Sequence, residues 1–557
     1  MSRFVRASKY RHVFGQQGKK EYGLDNVKVT NSAWDTNVIA CSAKYISINW
    51  NSSGGGAFAI LPLPSPFHPL PHNFPYKLPD LIPLARSHTA PVLDTDWSPF
   101  NDSIVASGGE DGKTMIWKVD DNVFEGWGAE GWEPQDHDPV LRIDVSPRRV
   151  GQVLFHPTAE HVLATATGDH TVKLWDLGSP EQPRSVLGGH GDSIQSLTFN
   201  PTGNLVVTTC RDRKIRIFDS RAGGDAVRIT EGHGGIKGAR VVWMGDRDTI
   251  ATTGFSKMSD RQVGIWEAGS LRNIKMTTID QTSGVLMPFW CDNGILFLAG
   301  KGDGNIRYFE WENETLFPLA EYKSSEPQRG MAFLPRRAVN VQECEIARAY
   351  KVAASSIEAI AFIVPRKADS FQSDIYPPAQ SASPSLTAPE FFSGKEAPPK
   401  LVSLDNGSIV TGNLSSSSTA SSASVSTPIS ASTPTSISAS TPIASSTPTT
   451  ISSSTSISAS TPTSRELPVP TKTSSAPAAI PQASPQPQRA PSPVSTPVAS
   501  RQSSDDNTNQ SQLTSLQAEN ARLNAELRES REKIRNLELQ LESVKANARK
   551  AAALLEG

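Results

Sequence analysis

The stretch GHGDSIQSLTFNPTGNLVVTTCRDRKIRIFDS, residues 189–220, holds one full structural period. A Gly-His pair ends at His190. The apolar strand IQSLTF follows, then the turn NPTGN, an Asp-bearing turn Arg211-Asp212-Arg213, and the strand RKIRIFDS with Phe218 near its end. Short apolar runs bounded by Asn, Pro, Gly and Asp read as strands joined by tight turns. The same order recurs on both sides. KTMIWKV, HTVKLWDL, RQVGIWEA and NIRYFEW place Trp117, Trp175, Trp266 and Phe309 where this stretch has Phe218. VLDTDW, VGQVLF and ARVVW stand where it has IQSLTF, and His88 and His233 stand where it has His190.

Four short strands in a period of roughly 40–45 residues are the signature of a WD-type β-propeller blade. A lone blade cannot cover both of its faces, so the blades pack radially. WDTNVIACSAKYISINWNSSGGGAFAILPL reads as an earlier blade without the aromatic ending, and PQRGMAFLPRRAVNVQECEIARAYKV as a late, irregular one. The count is seven. Within such blades a His, a Ser or Thr, an Asp and a Trp form a buried hydrogen-bonded network, because buried polar groups must be paired. These residues therefore read as structural.

The rest of the 557 residues divides by composition. The expected fold is an all-β seven-bladed WD40-type propeller over 1–350, with a C-terminal extension packed on it at 351–402. A disordered Ser/Thr/Pro-rich linker follows at 403–512 and a parallel α-helical coiled coil at 513–557. Runs such as SSSSTASSASVSTPISASTP lack the apolar mass to offset chain entropy. Four scattered cysteines, Cys41, Cys210, Cys291 and Cys344, show no zinc or disulfide spacing and fit a reducing compartment. No apolar run is long enough to span a bilayer, and the basic start lacks an apolar signal core. Gly112-Lys113-Thr114 imitates the end of a phosphate-binding loop, but Ser107 replaces the required Gly and a strand follows instead of a helix. No nucleophile, paired-carboxylate or metal constellation stands out, so no enzyme activity, metal or cofactor is expected.

From Leu513 the apolar residues follow a heptad. Leu513, Asn520, Leu527, Ile534 and Leu541 take position a; Leu516, Leu523, Leu537 and Val544 take position d. Asn520 in such a seam favours a dimer. Lys533 and Glu538, which bracket Ile534 and Leu537, resemble a trimer-favouring pattern. Self-association is expected, as a trimer or a dimer.

The start of the chain, MSRFVRASKYRHVFGQQGKK, is basic and aromatic: residues 1–30 carry seven Lys or Arg against two acids, in a protein of net charge -2. SKYRHVFGQ, SAWD, SGGGAFAILPL, TTGFSKMSDRQVGIW, KGDGNIRYFEW, EPQRGMAF and FIVPRKADSFQSDIYPP, together with the opening quotation, resemble the coronin family over residues 1–400. The resemblance implies a cytoplasmic, cytoskeletal protein of actin patches and the cell cortex. Such a protein binds filamentous actin and modulates the branch-nucleating complex of actin-related proteins. It further implies that the N-terminal strand completes the last blade, with Phe4, Tyr10, Val13 and Phe14 packing inward. The family's actin-contacting basic residue, Arg in many members, falls at Lys28, with Arg6, Lys9, Arg11, Lys19 and Lys20 in support. The alternative is a generic WD-repeat scaffold for a non-actin cytosolic assembly. A nucleic-acid role is not expected, since the basic run is short and no reading motif accompanies it.

Overall fold

The structure is a computed structural model that describes residues 6–410, apart from 54, 72–73, 128, 130 and 368–369, and the isolated positions 521, 522, 525, 528, 532 and 535. Within 6–410 the chain forms seven antiparallel sheets of four or five strands. Blade 1 runs from Ile39–Cys41 to Ala85–His88, blade 2 from Val92–Trp97 to Leu141–Asp144, and blade 3 from Val150–Phe155 to Ser185–Leu187. Blade 4 runs from Ile194–Phe199 to Arg228–Glu231, blade 5 from Arg240–Trp243 to Asn273–Asp280, and blade 6 from Leu286–Cys291 to Thr315–Lys323. The first strand of each blade contacts the next blade, and Gly330–Phe333 of blade 7 returns to Ile39–Cys41, so the ring closes.

Blade 7 joins the two ends of the folded region. Phe14–Gln17 pairs with Ser356–Ile363, Phe14 opposite Ile363 and Gln17 opposite Ile360. Tyr10 and Val13 are buried beside Phe297, Tyr308 and Phe362 in the largest apolar cluster. Burial of each such side chain contributes roughly 1.5–3 kcal/mol. Phe14, expected in that core, is instead 43% exposed, because its side lies outward on an edge strand.

Two boundaries differ from the sequence reading. Ser356–Ile363, read as part of the extension, is the third strand of blade 7, between Glu345–Val352 and the N-terminal strand. The linker was expected to begin at 403, yet Leu401–Val402 pairs with Ile409–Val410 and with Ala379–Gln380. The intervening segment crosses from blade 7 to blades 3 and 4. Tyr376 Oη donates to the Glu345 carbonyl at 3.1 Å, and Leu386–Thr387 runs parallel to Ala159–Glu160. A five-residue helix, Ala388–Phe392, starts at a Thr387–Glu390 capping box and buries Phe391 against the His156 ring, 4.2 Å between centroids.

Polar side chains stitch the inner strands together. Asp94 and Asp96 accept from Val153 N–H and Phe155 N–H at 3.1 and 2.7 Å, and Gln152 accepts from Leu197 N–H at 3.0 Å. Within blades, the network expected of His, Ser or Thr, Asp and Trp is complete in blade 2. His88 lies 3.0 Å from Asp111 and 2.8 Å from Ser107 Oγ, which also accepts from Trp117 at 2.9 Å. Blade 5 keeps His233, Thr252 and Trp266, and blade 4 has Phe218 in the Trp position.

In the tail, the positions Ala521, Arg522, Ala525, Arg528, Glu532 and Arg535 are helical and exposed. The heptad puts them at b, c and f, the outward positions. The seam residues Leu513, Leu516, Asn520, Leu523, Leu527, Lys533, Ile534, Leu537, Glu538, Leu541 and Val544 lie outside the described residues, as does the linker from 411 to 512.

Candidate functional site

Four antiparallel strands per blade give the ring two unlike faces. The turns between second and third strands, and the connections from blade to blade, emerge on one face, here called upper. First-to-second and third-to-fourth turns emerge on the lower face. Phe14–Gln17 runs antiparallel to Ser356–Ile363, so it climbs from lower to upper. This direction separates the six basic residues singled out from sequence.

Arg6 and Lys9 precede the strand and lie at the lower end. Arg6 is held by Glu310 and Glu312 and lies over the Phe317 ring, 4.3 Å from its centroid. Lys9 donates to the Asp374 carbonyl and lies over Tyr10. Both side chains lock the start of the chain onto blade 6 and the extension. Arg11, half-buried, belongs to the same lower half and forms no ion pair among the described residues.

Lys19, Lys20 and Lys28 emerge on the upper face. Leu24 and Asp25 pair with Ile357 and Ser356 at the upper end of blade 7. Val27 N–H donates to the Ser355 carbonyl at 2.8 Å, and Asn51 N–H to the Lys28 carbonyl at 2.7 Å, which fixes Lys28 between blades 7 and 1. Its exposed ammonium donates to the Asp80 carbonyl at 2.9 Å, a neutral acceptor that leaves its charge uncancelled. Lys20 is 80% exposed, with Asp25 at 3.6 Å, and Lys19 lies over Tyr22. Lys19 and Lys20 border a groove of about 470 Å³ walled by Tyr22, Ser355 and Glu326.

Sequence reasoning missed Lys77. It belongs to the proline-rich excursion between the third and fourth strands of blade 1, and a bridge to Asp25 sets it beside Lys20 and Lys28. Tyr76 and Leu81, exposed in the same excursion, add apolar surface to the cluster. A Lys flanked by Tyr and Pro in FPYKLPD was the available signal, but nothing local places it next to residue 25.

Behind this rim, residues 34–37 cross the upper mouth of the central channel. Trp34 Nε1 donates to the Gly151 carbonyl at 2.8 Å, Thr36 Oγ1 to the Leu93 carbonyl at 2.7 Å, and Lys301 meets Asp35 at 2.9 Å. These contacts reach blades 2, 3 and 6. The Asp111–His88–Ser107 alignment has the distances of a hydrolytic triad, but Ser107 is buried and its oxygen is engaged by Trp117 and His88. Among the described residues, only core side chains reach that hydroxyl.

Comparison with known proteins adds the lineage. A model described as a domain of unknown function, DUF1899, matches residues 3–67. WD domain, G-beta repeats match 82–118, 136–176 and 181–219, and a further type of WD40 repeat matches 357–399. The coronin-like protein crn1 of Schizosaccharomyces pombe is 51% identical over 409 residues, which make up 72% of this chain and 65% of that protein. For the coronin-like protein of Saccharomyces cerevisiae the identity is 48%, over 61% of its length, so the chain spans less than two thirds of either. Coronin-A of Dictyostelium discoideum is 41% identical over 73% of this chain and 87% of its own length. The crystal structure of the WD40 domain from Toxoplasma gondii coronin superposes with a TM-score of 0.64 at 28% identity, covering 72% of this chain and 99% of that one. Since these matches take in about as much of the chain as the closed ring and its extension occupy, the protein belongs to the coronin family.

Proposed function

We propose that the protein binds actin filaments through the upper rim of blades 7 and 1 and, without catalysis of its own, regulates filament organisation in the cytoplasm and at the cell cortex. The observation that carries this reading is the convergence of Lys19, Lys20, Lys28 and Lys77 on one rim, in a member of the coronin family. An acidic polymer meeting that rim gains complementary charge, which steers encounter and fixes register. Arg6 acts in closing the ring, since its charge is already engaged by Glu310 and Glu312, and Lys9 lies with it at the lower end, away from the rim. The heptad at 513–557 joins two or three propellers, so that filaments are cross-linked and weak single contacts add as avidity. The same tail supplies the contact to the branch-nucleating complex of actin-related proteins.

Filament co-sedimentation of full-length Lys28→Asp tests the core of the proposal. An affinity loss of tenfold or more is expected with an unchanged melting temperature. Undiminished pelleting removes Lys28 from the site.

A further inference from the structure

The upper face carries a second basic lobe, across the ring from Lys28, which the filament reading does not use. The Arg211-Asp212-Arg213 turn of blade 4, the 232–239 connection and the 256–260 turn of blade 5 meet there. Arg213 C=O accepts from Gly232 N–H at 2.7 Å, and Gly235 N–H donates to the Phe255 carbonyl at 2.7 Å. The turns are firmly held. His233 is buried on Thr252, and a Cβ on Gly235 would come within 2.7 Å of Phe255 Cβ, so only glycine lets the loop pack this closely.

From this rigid base two apolar side chains project into solvent: Ile236, 70% exposed, and Met258, 86% exposed. Exposed cations flank both. Lys237 lies over the Phe255 ring at 4.8 Å, Lys257 packs along Gly234, and Arg211 and Arg213 stand on the neighbouring turn. None of these four forms an ion pair among the described residues. Of the nearby acids, Asp212 is paired with Arg216 at 2.6 Å, Asp260 accepts from Ser256 at 2.9 Å, and exposed Glu231 lies 4.0 Å from Lys214.

We propose that this lobe docks on an anionic lipid bilayer, with Ile236 and Met258 entering the headgroup boundary and the four cations facing acidic headgroups. An acidic protein would need two apolar sockets spaced to receive both tips, whereas a fluid bilayer needs none. Two exposed apolar tips, Ile236 beside Lys237 and Met258 beside Lys257, match the layering of a bilayer, where charge lies outside and hydrocarbon beneath. The lobe lies on blades 4 and 5 and Lys28 on the opposite rim, so a membrane and a filament engage different residues.

Vesicle co-sedimentation of the full chain tests the proposal, using phosphatidylcholine alone and phosphatidylcholine with about 30% phosphatidylserine. Binding is expected only to the anionic vesicles. Ile236→Ser with Met258→Ser should weaken it about tenfold, and Lys237→Glu with Lys257→Glu should abolish it, both leaving filament pelleting unchanged. Lys28→Asp should leave vesicle binding intact. In Ile236→Trp, added anionic vesicles should shift the emission of that indole, read as a difference from wild type, to the blue. Absence of vesicle binding in low salt, or binding undiminished by the Ser pair, overturns the proposal. So does loss of filament pelleting in the Ser pair, which would assign the lobe to the filament.

Discussion

The Tyr308 hydroxyl donates a 2.9 Å hydrogen bond to the Val13 carbonyl, tying blade 6 to the strand that completes blade 7. Two neighbouring contacts repeat the tie, Tyr322 Oη to Gln17 Oε1 at 2.9 Å and Arg6 to Glu310. A ring held shut by non-covalent pairing of its two chain ends is vulnerable at this seam. Tyr308→Phe removes a buried hydrogen bond and should cost about 1 kcal/mol. Tyr10→Ala, which empties a buried aromatic site, should cost about 3–5 kcal/mol. Urea unfolding followed by tryptophan fluorescence reads both, and equal effects of the two substitutions would contradict this picture of the seam.

Arg6 and Lys28 should separate stability from binding. Arg6→Ala breaks contacts to Glu310, Glu312 and Phe317 and is expected to lower the melting temperature while leaving filament affinity within about twofold of wild type. Lys28→Asp should do the reverse. Lys28→Arg supplies a planar fork where the native residue has a point charge, so filament binding should be kept or tightened. A melting shift in Lys28→Asp as large as that in Arg6→Ala would mean that Lys28 is structural.

Asp94 and Asp96 predict an alkaline weakening. Burial in the channel pushes Asp94 up to about 8 and Asp96 up to about 7, opposed in part by the Val153 and Phe155 N–H groups that each accepts from. The folded state thus holds protons that the unfolded chain releases near 3.8. The contribution of these groups is full below that value and is lost as pH rises toward 8. Arg240 moderates the effect on Asp94, and channel solvent reaches both residues in part. Asp94→Asn keeps an acceptor for Val153 and should stabilise by about 1–2 kcal/mol at pH 8, with little change near pH 4. Thermal melts across that range decide; a gain at acid pH instead would reverse the sign of the argument.

Blade rhythm was readable because each period restates its own strands, turns and closing aromatic, so Phe218 and Trp266 mark their strands without help from the rest of the chain. Contacts between distant segments were not. Ser356–Ile363 reads as an extension until its partner, Phe14–Gln17, arrives from the other end of the chain. Within the candidate site, the positive charge of Lys28 is visible in sequence, and so is that of Arg6. That one is exposed on a rim and the other locked to Glu310 depends on which way residues 14–17 run along blade 7, and no local pattern encodes that direction. Lys77 was hidden for the same reason.

The tail yields a prediction that joins oligomer state to filament affinity. Leu, Ile and Val at the heptad seam leave a stripe that a lone helix would expose to water, and the described positions Ala521, Arg528 and Glu532 already take the outward faces. Removal of residues 513–557 should therefore leave a monomer by light scattering. Each propeller keeps its own upper rim, so the monomer should still bind single filaments, but without the avidity of joined sites, and bundling should disappear. On the proposed charge-led rim contact, raising salt should weaken the monomer and the oligomer alike, with the oligomer releasing only at higher ionic strength. A truncated chain that stays oligomeric, or one that bundles as well as the full chain, would place self-association outside the tail.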